Sequence, residues 1–198
     1  NGLYTKQTEV NFGSVLPDYT GGVQSSMKLF ERFSLNVNVD YQVGGKFFSL
    51  SDFWGTYSGL TARTATLNDK GNSVRDQVAD GGGVRVDGVD ASGKDVTYYV
   101  DAQTYFHQFR QNNIAENSVF DLTYVKLREL SIGYDLPVAK LFRTKWISGI
   151  NFSLVGRNVL LLYTKNRDFD PSEISQVQGE DGQMPGTRSL GFNLKLNF

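Results

Sequence analysis

The chain has 198 residues, and its 20 Lys+Arg against 21 Asp+Glu leave a formal charge of -1, without the basic excess of a nucleic-acid binder. It has no cysteine and one histidine, His107, which excludes disulfide scaffolds, thiolate metal sites and multi-histidine centres. Ten Tyr and fourteen Phe beside 21 Gly and only four Pro make the composition that of an all-β protein. No apolar run reaches the roughly 18 residues of a spanning helix. The opening Asn1-Gly2-Leu3-Tyr4 has neither an initiator Met nor a signal pattern, so a processed protein or a fragment is expected.

In chain order, a leading segment of residues 1–22 precedes a weakly alternating strand over Val23 to Phe30. Glu31-Arg32 reads as a minimal turn. From Phe33 to Val43 the alternation is unbroken: Phe33, Leu35, Val37, Val39, Tyr41 and Val43 are apolar, with polar residues between them. Side chains of a strand point to opposite faces with period two, so this strand has one oily and one wet face. Residues 44–123 are long and irregular. They hold short helices expected at Leu50 to Tyr57 and Ala102 to Arg110, and the run Gly81-Gly82-Gly83. A small hairpin is expected there too, Val84-Arg85-Val86 returning through Tyr98-Tyr99-Val100 with its turn near Asp90-Ala91-Ser92-Gly93.

The next strand is expected over 124–136. Leu130, Ile132, Tyr134 and Leu136 share one phase, whereas Val125 and Leu127 are in the other, which predicts a β-bulge around Arg128-Glu129. A modest connector, Pro137 to Ser148, leads to a strand over 150–163. After a second long loop, 164–187, the last strand covers 188–198, with Leu190, Phe192, Leu194, Leu196 and Phe198 apolar.

Alternation of this kind fits a soluble sandwich or a membrane barrel, and three details favour the barrel. Strands of about 9–11 residues cross a bilayer at a tilt of roughly 45°, whereas soluble strands are mostly about five or six residues long. The strand charges Lys28, Asp40, Asp135, Arg157 and Lys195 all fall on the polar phase, as expected where an Arg or Lys on the lipid face costs roughly 2–4 kcal/mol. Finally, if the C-terminus lies at the periplasmic face, both short connectors fall on that side. The loops 1–22, 44–123 and 164–187 then fall outside, the arrangement of outer-membrane barrels. Five strands cannot close a barrel, since the smallest use about eight. Open edges in lipid leave backbone groups unpaired at several kcal/mol each, so these strands are expected to pair with others outside this sequence.

Five blocks of the sequence also resemble the C-terminal part of SusC/RagA-family TonB-linked (TonB-dependent) outer-membrane transporters of Bacteroidetes. The first is Leu16-Pro17-Asp18-Tyr19-Thr20-Gly21-Gly22 leading into Phe33-Ser34-Leu35. The second is Gly81-Gly82-Gly83-Val84 with Asp87-Gly88-Val89. The third is Tyr124-Val125-Lys126-Leu127-Arg128-Glu129-Leu130-Ser131-Ile132-Gly133-Tyr134 with Leu136-Pro137. Gly156-Arg157-Asn158-Val159-Leu160 and Pro185-Gly186-Thr187-Arg188-Ser189-Leu190-Gly191-Phe192-Asn193 complete the set, in the family's order. The resemblance implies the last strands of a 22-stranded, plugged barrel. It also implies a nutrient importer in the cell outer membrane that pairs with a SusD-like surface lipoprotein and draws energy through the TonB complex. Glycans or peptides are the implied cargo. The plug and the TonB-contacting segment are not in this sequence. Phe198, ending the alternating run, resembles the signal read by the outer-membrane assembly machinery.

Several residues admit a sharper reading beside a plain one. Trp54, Tyr57, Tyr98, Tyr99, Tyr105 and Phe106 lie in the long external loop, where aromatic faces stack on sugar rings or apolar side chains. They are candidates for contact with cargo or with the lipoprotein lid, or they pack the loop on itself. Trp146 reads as an interfacial anchor. His107, within Tyr105-Phe106-His107-Gln108-Phe109, reads as a loop histidine packed among aromatics, with no partner for catalysis. Asp76, Asp80, Asp87, Asp90 and Asp95 lack the order of a calcium loop and read as hairpin turns. Gly81-Gly82-Gly83 matches no phosphate-binding pattern, and Asp170-Pro171 and Arg188 read as a turn and a lumen-facing charge. No nucleophile–base pair or spaced carboxylate pair stands out, so an enzyme is not expected, and neither is a metal or cofactor. The alternative is a stand-alone all-β surface adhesin or glycan-binding module, which requires a second sheet to cover the apolar strand faces.

Overall fold

The computed structural model describes residues 2–138, 146–175, 179–184 and 186–198. Its strands are β1 (Tyr19–Leu29), β2 (Phe33–Val43), β3 (Lys46–Phe48), β4 (Val84–Val89), β5 (Asp95–Val100), β6 (Val119–Asp121), β7 (Tyr124–Leu136), β8 (Gly149–Thr164) and β9 (Ser189–Asn197). Helix α1 (Leu50–Tyr57) follows β3, and helix α2 (Ala102–Gln111) follows β5. The chain divides into two compact units. A sheet unit comprises Ser14–Lys46, Asp121–Gln176 and Met184–Phe198, and a loop unit comprises Asn1–Gly13, Phe47–Phe120 and Val177–Gln183.

In the sheet unit five strands pair in the order β1-β2-β7-β8-β9, each antiparallel to its neighbour. Register carries the sequence alternation across the whole sheet. Met27, Leu35, Ile132, Leu154 and Phe192 form one cross-strand row, and Lys28, Ser34, Gly133, Ser153 and Asn193 form the row beside it. A slip of one residue in any strand would exchange the two faces, so hydrophobic matching pins the register. The apolar row stays open to solvent, with Ile132, Leu154 and Phe192 each more than half exposed. The expected bulge is present: Asn38 pairs with Glu129 and Val39 with Leu127, which leaves Arg128 as the extra residue on β7.

The start of β1 and the turn that follows it differ from the sequence expectation, while the other strand ends of the five-stranded sheet and the ends of both helices agree to within a residue. β1 begins at Tyr19, four residues before Val23, because Gly21 and Gly22 continue the ladder with Tyr41 and Asp40. The Tyr41 ring lies over Gly21, within 2.6–2.9 Å of where a Cβ would stand, so glycine here makes room for an aromatic rather than a turn. The reversal into β2 is centred on Phe30 and Glu31, not Glu31 and Arg32. Both have left-handed φ (50° and 63°), and the Arg32 N–H donates to the Leu29 carbonyl at 3.3 Å. Of the connector after β7, residues 139–145 lie outside the described residues. Trp146 is 84% exposed.

In the loop unit, β4 and β5 form the expected hairpin. The Asp90 carboxylate accepts from the N–H groups of Ser92 (2.8 Å) and Lys94 (3.1 Å), closing its turn. Gly81 and Gly83 adopt φ of 87° and 83° just before the hairpin. Both helices are capped by the residue that precedes them: Ser49 accepts from Asp52 N–H at 3.0 Å, and Asp101 from Thr104 N–H at 3.1 Å. In α2 the apolar residues Ala102, Phe106 and Phe109 recur at helical spacing and form the core of this unit, with Val84, Tyr105 and Ile114 packed around them.

Candidate functional site

The aromatic candidates of the loop unit separate into three places. Trp54 and Tyr57 sit one turn apart on α1, opposite His107 and Arg110, one turn apart on α2. The Arg110 guanidinium lies 4.3 Å from the Trp54 ring centre and 5.1 Å from that of Tyr57. Tyr57 and His107 stack with ring centres 4.1 Å apart. Trp54, Arg110, Tyr57 and His107 thus make one continuous layer of flat groups, joined by cation–π and stacking contacts. Beside this layer opens a cleft of about 400 Å³ lined by Thr56, Tyr57, Arg75, Asp101, Phe106 and His107.

The cleft walls are held by arginines. Arg75 donates to the carbonyls of Thr64 (2.7 Å) and Gly59 (2.5 Å). Arg63 pairs with Asp52 and donates to Thr56 Oγ1 and the Asn117 carbonyl. Of the other candidates, only Phe106 reaches this cleft. Tyr105 and Phe106 face the core of α2: Phe106 is buried, and Tyr105 meets Phe106, Phe109 and Tyr4 edge-on or tilted at 5.0–6.1 Å. Burial pushes the Tyr105 phenol upward, and its contact with the Tyr4 hydroxyl adds to that shift. Tyr99, on the hairpin, donates to Asp69 at 2.9 Å and carries the Lys70 ammonium 3.5 Å above its ring. Its neighbour Tyr98 is 40% exposed, and Phe198 at the chain end is 86% exposed.

The aspartates of the same stretch are engaged locally. Asp87 pairs with Arg85 and accepts from Thr97 Oγ1. The Thr97 hydrogen bond, with Arg85 beside it, holds the Asp87 carboxyl below its ordinary range. No group of three or more metal-ligating side chains gathers among the described residues.

A charged cluster on the polar phase of the sheet was not anticipated from the sequence. Lys126, on β7, is 2% exposed, and its ammonium reaches Asp170 (2.6 Å), Ser172 (2.8 Å) and Glu173 (3.2 Å). Arg128, displaced by the bulge onto the same side, joins Asp40 (2.7 Å) of β2 to Glu173 (3.1 Å). Burial raises the Asp170 carboxyl, but the Lys126 and Ser172 hydrogen bonds outweigh it and hold the group low. Nearby in chain, Asp121 is partly buried, and donors from Thr123 and Lys165 overcome that burial and bring it to about 2. The sequence did carry one signal for the cluster: two cations two residues apart across a phase slip, and a later Asp-Pro turn.

No protein-family model matches the chain, and no curated protein matches it. Among solved structures it is similar to chains of the RagAB peptide importer. Against the closed-closed state the TM-score is 0.58 at 19% identity, over 95% of this chain. A RagAB peptide transporter structure gives 0.59 at 19% identity and 95%, and the open-open state 0.52 at 20% identity and 93%. The chain spans only 18% of the length of each matched chain. At this identity the likeness concerns fold. In fold, the chain agrees with a segment of the barrel of a SusC/RagA-type TonB-dependent transporter, the resemblance its sequence blocks carry.

Proposed function

We propose that the chain is part of an outer-membrane, TonB-dependent importer that takes up glycans or peptides together with a SusD-like lipoprotein, and that it is not an enzyme. The observation that carries this reading is the uncharged apolar face running through all five strands and left open to solvent. Such a face is stable against lipid. In lipid, the outer edges of β1 and β9 must be paired, because unpaired backbone groups there cost several kcal/mol each. Further strands then complete a closed, 22-stranded wall around a plug. The two short connectors, Glu31-Arg32 and Pro137 to Ser148, belong on the periplasmic side, with Trp146 at the interface, and the long loops 44–123 and 164–187 belong at the cell surface. There Trp54 and Tyr57 are the flat faces best placed to meet cargo or lid. Phe198 supplies the assembly signal. The likeness to RagAB supports the same reading and favours peptide cargo. A stand-alone adhesin or glycan-binding module is not favoured: among the described residues the other sheets have two strands each, too few to cover a five-stranded face.

The test uses the native polypeptide that contains this chain. It is expected to leave outer membranes only with detergent. Cells lacking it are expected to lose uptake of labelled oligopeptides or oligosaccharides, and an uncoupler should abolish that uptake in wild-type cells. Release by high salt or alkali would overturn the reading in favour of a surface-bound module.

A further inference from the structure

The three protons of the Lys126 ammonium are all accounted for, and every acceptor lies in one four-residue stretch, Asp170 to Glu173, of the last long loop. Arg128 is different, because it keeps Asp40 as a partner within the sheet while reaching Glu173 with another nitrogen. The stretch itself is a preformed turn. Pro171 opens a short 3-10 helix, and Asp170 caps it by accepting from Ser172 N–H at 3.2 Å. The loop therefore presents two carboxylates on a stiff turn to two cations on the wall.

We propose that this turn, residues 170–173, is a releasable latch, which rests on the polar face of the sheet and covers Lys126 while closed. The inference rests on the importer reading for the polar face being a water-filled lumen. The carboxylates of Asp170 and Glu173 are 25% and 32% exposed, so water already reaches the loop side of the pair. On release, Arg128 retains Asp40, and Lys126 passes from a shielded seat to an aqueous lumen. Neither cation is stranded in a dry interior, which is the usual obstacle to breaking a buried pair.

The test is acylation of lysines by a membrane-impermeant amine reagent on intact cells, read by peptide mapping of the full transporter. Lys165, 51% exposed in the same loop, is the internal reference. In wild type, Lys126 is expected to react at least tenfold more slowly than Lys165. In the double variant Asp170→Asn/Glu173→Gln, which keeps both side-chain shapes, Lys126 is expected to approach within threefold of Lys165, with the barrel still heat-modifiable on gels. Lys126 remaining slow in that variant both on intact cells and after the outer membrane is opened, or being as fast as Lys165 in wild type, would overturn the latch. Loss of the folded barrel in the variant would also overturn it, by making the pair a folding element. Faster labelling that appears only once the outer membrane is opened would sustain the latch and overturn the assignment of this loop to the cell surface.

Discussion

At the scale of single residues, charge placement carries most of the information. Asp121 accepts from Thr123 and from the Lys165 ammonium at 2.9 Å, and Lys46 stands 3.5 Å away. Its folded pKa, about 2, lies below the ordinary 3.8. A depressed carboxylate stabilises the fold above its unfolded pKa and loses that contribution as pH falls through the folded one. Asp121→Asn is therefore expected to lower the melting temperature at pH 7, by a stabilisation of about 1 kcal/mol after solvent screening. The gap between variant and wild type should close between about pH 4 and pH 2, and melts of the detergent-solubilised protein check this. Sequence alone could not rank these charges. Lys126 and Lys195 both fall on a polar phase, yet one is almost fully buried and the other exposed, because only the former lies under the Asp170 turn. Likewise, Tyr105-Phe106-His107-Gln108-Phe109 announces aromatics around His107, but its stacking partner Tyr57 comes from a helix fifty positions earlier.

At the scale of elements, what was legible is what periodicity encodes. β2 and β9 alternate cleanly, and the phase slip in β7 located its bulge at Arg128. Both short helices stand where they were expected, at Leu50 to Tyr57 and from Ala102. What was missed involves residues whose local preference is overridden by pairing. Gly21-Gly22 reads as part of the leading segment before the strand, but both belong to β1, where the Tyr41 ring on the neighbouring strand needs the space that a side chain at Gly21 would fill. Phe30 and Glu31 are poor choices for left-handed φ, and the register of β1 on β2 imposes it on them. Two adjacent residues of β9 test the assignment of faces. Phe192→Lys places a charge on the apolar face and is expected to cost roughly 2–4 kcal/mol of folding into lipid. Asn193→Lys, on the polar face, is expected to be nearly neutral. Urea titrations of refolding into vesicles read the difference, and equal costs would refute the assignment.

At the scale of the whole molecule, the sheet is an oily surface on one side and a polar surface bearing the Lys126–Arg128 cluster on the other. The loop unit has its own core on α2 and its own cleft. In the sequence two long irregular stretches interrupt a regular alternation, but they read as loops of one barrel segment, and nothing in them announces a unit with its own core. Of six aromatic candidates, Trp54 and Tyr57 sit together on α1, whereas tertiary packing takes Phe106 into the core behind the cleft and holds Tyr99 on the hairpin.

The central claim is that the apolar phase of these strands faces lipid and the polar phase faces water. It is tested most directly by spin labels placed one at a time along Leu190 to Leu196 in the full polypeptide, reconstituted in bilayers. Collision rates with oxygen and with a water-soluble nickel chelate are then measured at each site. The account predicts strict alternation, with oxygen favoured at 190, 192, 194 and 196 and the chelate at 191, 193 and 195. Uniform access of the chelate to all seven positions would contradict it.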